Sequence, residues 1–142
     1  TLSPRNLSNN YNIDTILKAV PIVKEKLKDV VFIFICFSNS LEHVFKTLAQ
    51  HLKVEDNVYF ESSIGNENIS SYYIDSDLVV SIPSSDSSPS SVYEAVACEK
   101  PVIISDIPWY HGKFVNNKHL MAVSLNNAES LADMIVKYLL YF

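Results

Sequence analysis

Glycine and arginine are nearly missing from this sequence. Its 142 residues include two glycines, and Arg5 is the single arginine. The chain therefore has neither the GxxxxGK[ST] phosphate loop nor the GxSxG turn that exposes a nucleophilic serine. Any phosphate site in this protein must use a different arrangement of backbone amides and side chains.

Positive charge is scarce as well. The chain has 16 acidic and 11 basic residues and a net charge of -5, which argues against a nucleic-acid partner because such a partner needs a clustered basic face. The four histidines lack the spacing of metal ligands, so we expect no metal; we expect no cofactor either. Cys36 and Cys98 lie in apolar segments, and we predict that both are buried thiols in a reducing cytosol.

Long apolar runs are also missing. No run reaches the roughly 18 residues of a membrane-spanning helix, and no signal peptide is visible. We therefore predict a cytoplasmic protein, with binding at the inner face of the membrane as an option. The length fits one domain, residues 1–142. Because the sequence opens without methionine and close to a loop, we expect it to be a fragment of a longer, two-domain protein.

Strand and helix patterns alternate through the chain. The β-branched and aromatic run 30–37 is typical of a central strand in a parallel sheet that is covered on both faces. After a short apolar start, further strands are predicted at 57–62, 77–82, 101–105 and 119–124, and helices at 12–28, 41–52, 67–76, 90–98 and 127–142. This alternation predicts an α/β fold: a Rossmann-like, doubly wound parallel sheet in three layers.

Local signals refine these elements. Asn12 and Ser40 are good N-caps for the first and second helices, and Pro21 predicts a kink or a restarted turn in the first. Trp109 and Tyr110 follow the strand at 101–105, and we expect them to pack under a loop rather than to edge a cleft.

Several polar segments directly follow predicted strands: Arg5, Ser38, residues 62–65 and residues 84–91. The carboxyl ends of parallel strands share one edge of the sheet, where ligands of such folds bind. We therefore expect these segments to line a common cleft.

The loop 81–91 is the richest of these segments, with seven serines, two prolines and one acid, Asp86. It leads into the helical pattern VYEAVA, whose unpaired amides would attract an anion such as phosphate. Glu94 in this helix either accepts hydrogen bonds from ligand hydroxyls or only stabilises the helix dipole. Arg5 is either a phosphate ligand or an exposed surface arginine. The residues alone leave both choices open.

The stretch SIPSSDSSPSSVYEAVACEKPVIISDIP resembles the signature of the retaining glycosyltransferases of group 1, or family 4, which have the GT-B fold. That family carries an acid, seven residues and a glutamate, followed by EAMACGxPVI. The opening SPRNL, the segment NVYFES and the helix ending in YYIDSD match the same carboxyl-terminal half in order, so the resemblance covers essentially the whole chain.

The resemblance implies a role for each matching residue. Glu94 would hold the ribose hydroxyls of a nucleotide sugar, and Asp86 would contact the transferred sugar near its anomeric carbon. Arg5 would neutralise the diphosphate, and the loop at Ile64 would face the base through its backbone. The diphosphate would also be bound at the helix start, by Ser88 and by the amides of Ser90 and Ser91.

The sequence departs from the family pattern at several points. No lysine follows Arg5 closely, and Asp86 stands where glutamate is commoner. Pro89 cannot donate a hydrogen bond, and Glu99 replaces the usual helix-ending glycine. The loop after the second strand also lacks the usual glycines. These departures predict weak binding of the donor, or an unusual donor.

The resemblance implies the donor-binding domain of a retaining, hexosyltransferase-type enzyme that passes a sugar to a glycan, lipid or small molecule. Its partners would be a nucleotide-sugar donor and a missing amino-terminal acceptor domain, so the domain by itself is expected to be inactive. Two alternatives stay open: a flavodoxin-like or receiver-like binding module without transferase activity, and a degenerate transferase domain kept for assembly.

Overall fold

The computed structural model describes residues 1–36, 41–62, 64–111, 113 and 119–141. Six parallel strands form one sheet in the order β3-β2-β1-β4-β5-β6. They are β1 Leu2–Ser3, β2 Phe32–Cys36, β3 Val58–Ser62, β4 Val79–Ser81, β5 Val102–Ser105 and β6 Leu120–Val123. This is the order of a Rossmann fold, so the doubly wound prediction is confirmed. A flavodoxin-like or receiver-like module would have the order 2-1-3-4-5, and this sheet does not fit that alternative.

Five α-helices connect or follow these strands, as predicted. They are α1 Ile13–Lys26, α2 Glu42–His51, α3 Ile69–Asp75, α4 Ser90–Ala97 and α5 Ala128–Tyr141. All ten of their ends lie within two residues of the predicted ends. The start of α3 comes later because a 3-10 turn, Asn66–Asn68, precedes it. None of the described helices is long and apolar enough to span a bilayer.

The two faces of the sheet bury separate apolar clusters. In β2, Phe32, Phe34 and Cys36 pack with residues of α1, α2 and α5 on one face, whereas Ile33 and Ile35 belong to the cluster that includes residues of α3 and α4. Successive strand residues point to opposite faces, so helices on both sides require the uninterrupted apolar run. The three-layer prediction is thereby confirmed.

The side-chain cap predicted at Asn12 for α1 is wrong. Asn12 has left-handed backbone angles, φ 50° and ψ 41°, and its side-chain amide donates to the Ile82 carbonyl over 2.7 Å instead of capping the helix. Pro21 lies inside the continuous helix α1 rather than at a restarted turn, because packing of the helix's apolar face outweighs one lost backbone bond; the kink at Pro21 stays a prediction. The proposed cap Ser40 lies outside the described residues.

Glu99 ends α4 in the left-handed conformation, with φ 57°. Its N–H donates to the Val96 carbonyl and that of Lys100 to the Ala95 carbonyl, both over 2.9 Å, which is the Schellman pattern. Glycine is the usual residue at this position. Both cysteines are unpaired; Cys36 is buried as predicted, but Cys98 is only half-buried.

Candidate functional site

An open cleft of about 380 Å³ lies at the carboxyl ends of β1 and β4. Strand order reverses between these two strands, and Rossmann-like sheets bind their ligands at such a point. The segments after β1 and β4 and the helices α3 and α4 line the cleft, which includes six of the predicted site residues: Arg5, Asp86, Ser88, Ser90, Ser91 and Glu94. The expectation of a common edge is thus confirmed for these segments.

Arg5 is held inside this cleft rather than exposed on the surface. Its Nη2 lies 2.9 Å from Asp86 Oδ2, in an ion pair whose side chains are only 11% and 8% exposed. Its Nη1 donates to Ser91 Oγ over 3.0 Å, and the guanidinium stacks 4.2 Å from the centre of the Tyr11 ring. The chain's single arginine therefore links the segment after β1 to the middle and to the carboxyl end of the serine-rich loop.

Asp86 accepts hydrogen bonds from three directions. Besides Arg5, the Ser88 N–H donates to Oδ1 over 3.0 Å, and the Tyr110 hydroxyl donates to Oδ2 over 3.4 Å. An ionised carboxylate has about four acceptor positions, so about one remains for a ligand. Tyr110 itself is buried, as expected, but its hydroxyl reaches the site.

Glu94 is exposed, and fewer groups of the described residues donate hydrogen bonds to it than to Asp86. Among the described residues, the buried Tyr73 hydroxyl donates to Glu94 Oε2 over 2.9 Å, and about three acceptor positions of the carboxylate have no partner within this part of the chain. Burial first, and then the hydrogen bond to Glu94, raise the pKa of Tyr73. Burial likewise raises the pKa of Tyr110, with the charge of Asp86 adding to it. Both hydroxyls therefore stay protonated at neutral pH and act as donors.

The start of α4 offers fewer free amides than a typical helix start. The Ser90 N–H donates to the Ser88 carbonyl over 2.9 Å, and Pro89 has no N–H. Among the described residues we find no acceptor for the Ser91 N–H, which leaves it as the amide at the first turn that can receive an anion.

Asparagines hold the glycine-poor loop in place. The Asn10 carbonyl accepts the Ser84 N–H over 2.7 Å, and the Asn10 side-chain amide donates to the Ser85 carbonyl over 3.0 Å. Asn12 adds its bonds to Ile82 and to Ser84 Oγ. Sequence reasoning missed these asparagines, and it also missed Tyr11, Tyr73 and Tyr110 as groups that contact the charged residues. The sequence signal for the asparagines was the turn-rich segment NLSNNYN beside Arg5.

One other predicted position, Ile64, is placed differently. Ile64 is half-buried against the apolar cluster of α3 and α4, and among the described residues the cleft lining includes Ile69 rather than Ile64. Ser38 lies outside the described residues. Because the described lining carries one cation and two carboxylates, its formal charge is negative.

A larger open cavity, of about 980 Å³, lies near the amino ends of the strands, with Thr1, Lys28 and Asp77 in its lining. Rossmann-like sheets bind ligands at the opposite edge, and the ionic and hydroxyl groups described above converge there. We therefore take the smaller cleft as the candidate site.

Comparison with solved structures finds the same fold. Sucrose-phosphate synthase from Thermosynechococcus elongatus is 20% identical, with a TM-score of 0.86 over 97% of this chain and 35% of its own. HepE from Anabaena, in complex with UDP and glucose, is 18% identical, with a TM-score of 0.83 over 99% of this chain and 38% of its own. A glycosyltransferase from Rickettsia africae ESF-5 is 22% identical, with a TM-score of 0.83 over 97% of this chain and 36% of its own. This chain thus spans little more than a third of each, and its sheet matches the carboxyl-terminal domain of GT-B glycosyltransferases.

Comparison with curated proteins finds no match. The family described as Glycosyl transferases group 1 matches residues 1–140. Since that match covers nearly every residue, the chain belongs to the group 1 glycosyl transferases.

Proposed function

We propose that this chain is the donor-binding domain of a retaining glycosyltransferase and that a nucleoside diphosphate sugar binds in the cleft between β1 and β4. The observation that carries the proposal is the convergence of Arg5, Asp86, Ser91 and Glu94 at the point where strand order reverses. UDP in the complex of the similarly folded HepE supports this class of donor.

Each group has a role that fits its surroundings. Glu94, with about three free acceptor positions, accepts hydrogen bonds from two neighbouring ribose hydroxyls. Asp86 has room for about one further donor and takes a hydroxyl of the transferred sugar. Arg5 and the Ser91 N–H stabilise the diphosphate as it leaves with the electron pair of the glycosidic bond. Ser88 and Ser90 border the diphosphate, and the backbone near Ile64 faces the base.

The charge of the cleft limits the affinity of the isolated domain. Arg5 already pairs with Asp86, so a diphosphate must share its guanidinium, and the lining offers no second described cation. We expect millimolar affinity for UDP, with transfer requiring an acceptor domain elsewhere in the full-length protein. We propose a cytoplasmic enzyme, at the inner face of the membrane if its acceptor is a lipid, that transfers a hexose and uses no metal ion.

A titration followed by amide chemical shifts tests donor binding. UDP added to millimolar concentration should shift the amides of Arg5, Ser91 and Glu94 in a saturable way, while Lys28 in the opposite cavity serves as the control. Saturable shifts only at residues outside the cleft would mean that UDP binds elsewhere. If no amide shifts at all, the proposal of donor binding is wrong.

A further inference from the structure

Tyr73 is a fully buried side chain whose one polar atom reaches the candidate site. It lies near the end of α3 with 1% of its surface exposed, and its ring packs in the apolar cluster with Val92 and Ala95 of α4. Its hydroxyl donates to Glu94 Oε2 over 2.9 Å. Because the ring is fixed by packing on the sheet, the hydroxyl is a rigid anchor for a carboxylate that otherwise faces solvent.

The anchor matters because Glu94 is a long side chain at the surface. A free glutamate samples several rotamers, and fixing one of them on ligand binding costs conformational entropy. With Oε2 held by Tyr73, the other oxygen keeps a defined direction before a ligand arrives. Two vicinal hydroxyls need this fixed direction more than a single hydroxyl does.

We infer that Tyr73 is a positioning residue that orients the Glu94 carboxylate toward the two ribose hydroxyls and so gives the site its preference for ribonucleotides over deoxyribonucleotides. This inference rests on the proposed function, since it assigns Glu94 to the ribose. Tyr73 itself does not touch the ligand in this arrangement; it acts through Glu94.

The alternative role for Tyr73 is purely structural: a core tyrosine whose hydroxyl needs a partner. The two roles differ in what they do to ligand selectivity. A structural defect weakens binding of every nucleotide alike, whereas a loosened Glu94 weakens only the contacts made to ribose hydroxyls.

The test compares Tyr73→Phe with Tyr72→Phe, a half-buried neighbour on the same helix that packs against the same cluster. Phenylalanine keeps the buried ring, and thermal unfolding verifies that both variants remain folded. Dissociation constants are measured for UDP and for its 2′,3′-dideoxy analogue, with Glu94→Gln as the reference for a lost ribose contact.

Tyr73→Phe should bind UDP roughly tenfold more weakly, because the ligand must then fix the Glu94 rotamer that Tyr73 no longer holds, and should bind the dideoxy analogue as the unchanged chain does. Adding Glu94→Gln to Tyr73→Phe should cause little further loss, and Tyr72→Phe should change neither constant. Equal losses for both nucleotides, or no loss for UDP, would overturn the positioning role while leaving donor binding intact. Failure of the unchanged chain to bind UDP would instead remove the proposed function, and this inference with it.

Discussion

Asp86 and Glu94 carry the same charge on the same cleft, yet the chain holds them in opposite ways. Asp86 is nearly buried and accepts from Arg5, Ser88 and Tyr110. Glu94 is exposed and accepts from Tyr73. Both lie on or beside the same short helix, so the difference comes from their surroundings rather than from their residue type.

This contrast indicates that the two acids of the sequence motif have different tasks, one in stability and one in binding. The Asp86 end is preorganised, since its ion pair ties the segment after β1 to the loop after β4. The Glu94 end keeps most of its acceptor positions free for a ligand. We therefore expect changes at Asp86 to affect stability most, and changes at Glu94 to affect binding most.

The largest expected effect is on stability. Asp86→Ala leaves the Arg5 guanidinium nearly buried without its anion, and removing one partner of such a pair costs about 3 kcal/mol in free energy of unfolding. Glu94→Ala should cost about 1 kcal/mol, the value of one hydrogen bond. Urea denaturation of the two variants and the unchanged chain measures both.

The double variant Arg5→Met with Asp86→Leu is the control for this comparison. Replacing a buried ion pair by apolar side chains of similar volume is often close to neutral, so it should recover most of the lost stability. Equal losses for Asp86→Ala and Glu94→Ala would contradict the distinction between the two acids.

A second effect appears at high pH, because each acid is held by a tyrosine of raised pKa. The folded chain keeps the protons of Tyr73 and Tyr110 above pH 10, near which an unfolded tyrosine loses its own. Their contribution is complete below pH 10 and is lost as pH rises, by about 1.4 kcal/mol per pH unit for each group.

Denaturant unfolding between pH 9 and pH 11 checks this dependence. Tyr73→Phe and Tyr110→Phe should each show a shallower fall in stability than the unchanged chain. The Cys36 thiol, whose pKa burial raises to about 11, adds the same fall to all of these variants. If stability falls with pH equally in all variants, neither tyrosine hydroxyl has a raised pKa in the folded chain.

The smallest expected effect is a gain in stability at the far end of α4. Glu99→Gly removes the cost of a left-handed glutamate and should stabilise the chain by about 1 kcal/mol, as measured by thermal or urea unfolding. Lys53→Gly is a matched variant, since Lys53 also follows a helix with φ 57°. Neither residue lines the cleft, so UDP affinity should stay constant; a change in affinity would mean that stability and binding are not separable here.

Much of the fold could be predicted because it depends on local patterns. The run 30–37 indicated a strand covered on both faces, and helices pack on both sides of β2. The departures from the predictions have tertiary causes: Asn12 exchanges a capping bond for a bond to Ile82, 70 positions further along the chain, and Pro21 does not restart the helix because that helix is packed on the sheet. Neither a hydrogen bond between distant residues nor tertiary packing can be predicted from the residues that are adjacent in sequence.

The candidate site was predictable in position but only partly in geometry. Arg5 and Asp86 were expected at one edge and do meet there. The sequence could not indicate that they pair with each other, or that Tyr73 and Tyr110 each reach one acid, because contacts between residues far apart in sequence depend on how α3, α4 and the loops pack. The ligand roles of these residues stay predictions.

The most direct measurement of the central claim is the UDP titration, recorded on the unchanged chain and on Glu94→Gln. We predict saturable shifts at Arg5, Ser91 and Glu94 in the unchanged chain, and about tenfold weaker binding in the variant, since a hydrogen-bond acceptor for ribose is lost, with less than about 1 kcal/mol change in stability. Equal affinity of the two proteins, or shifts confined to residues outside the cleft, would contradict Glu94 as the ligand-binding acid of this site.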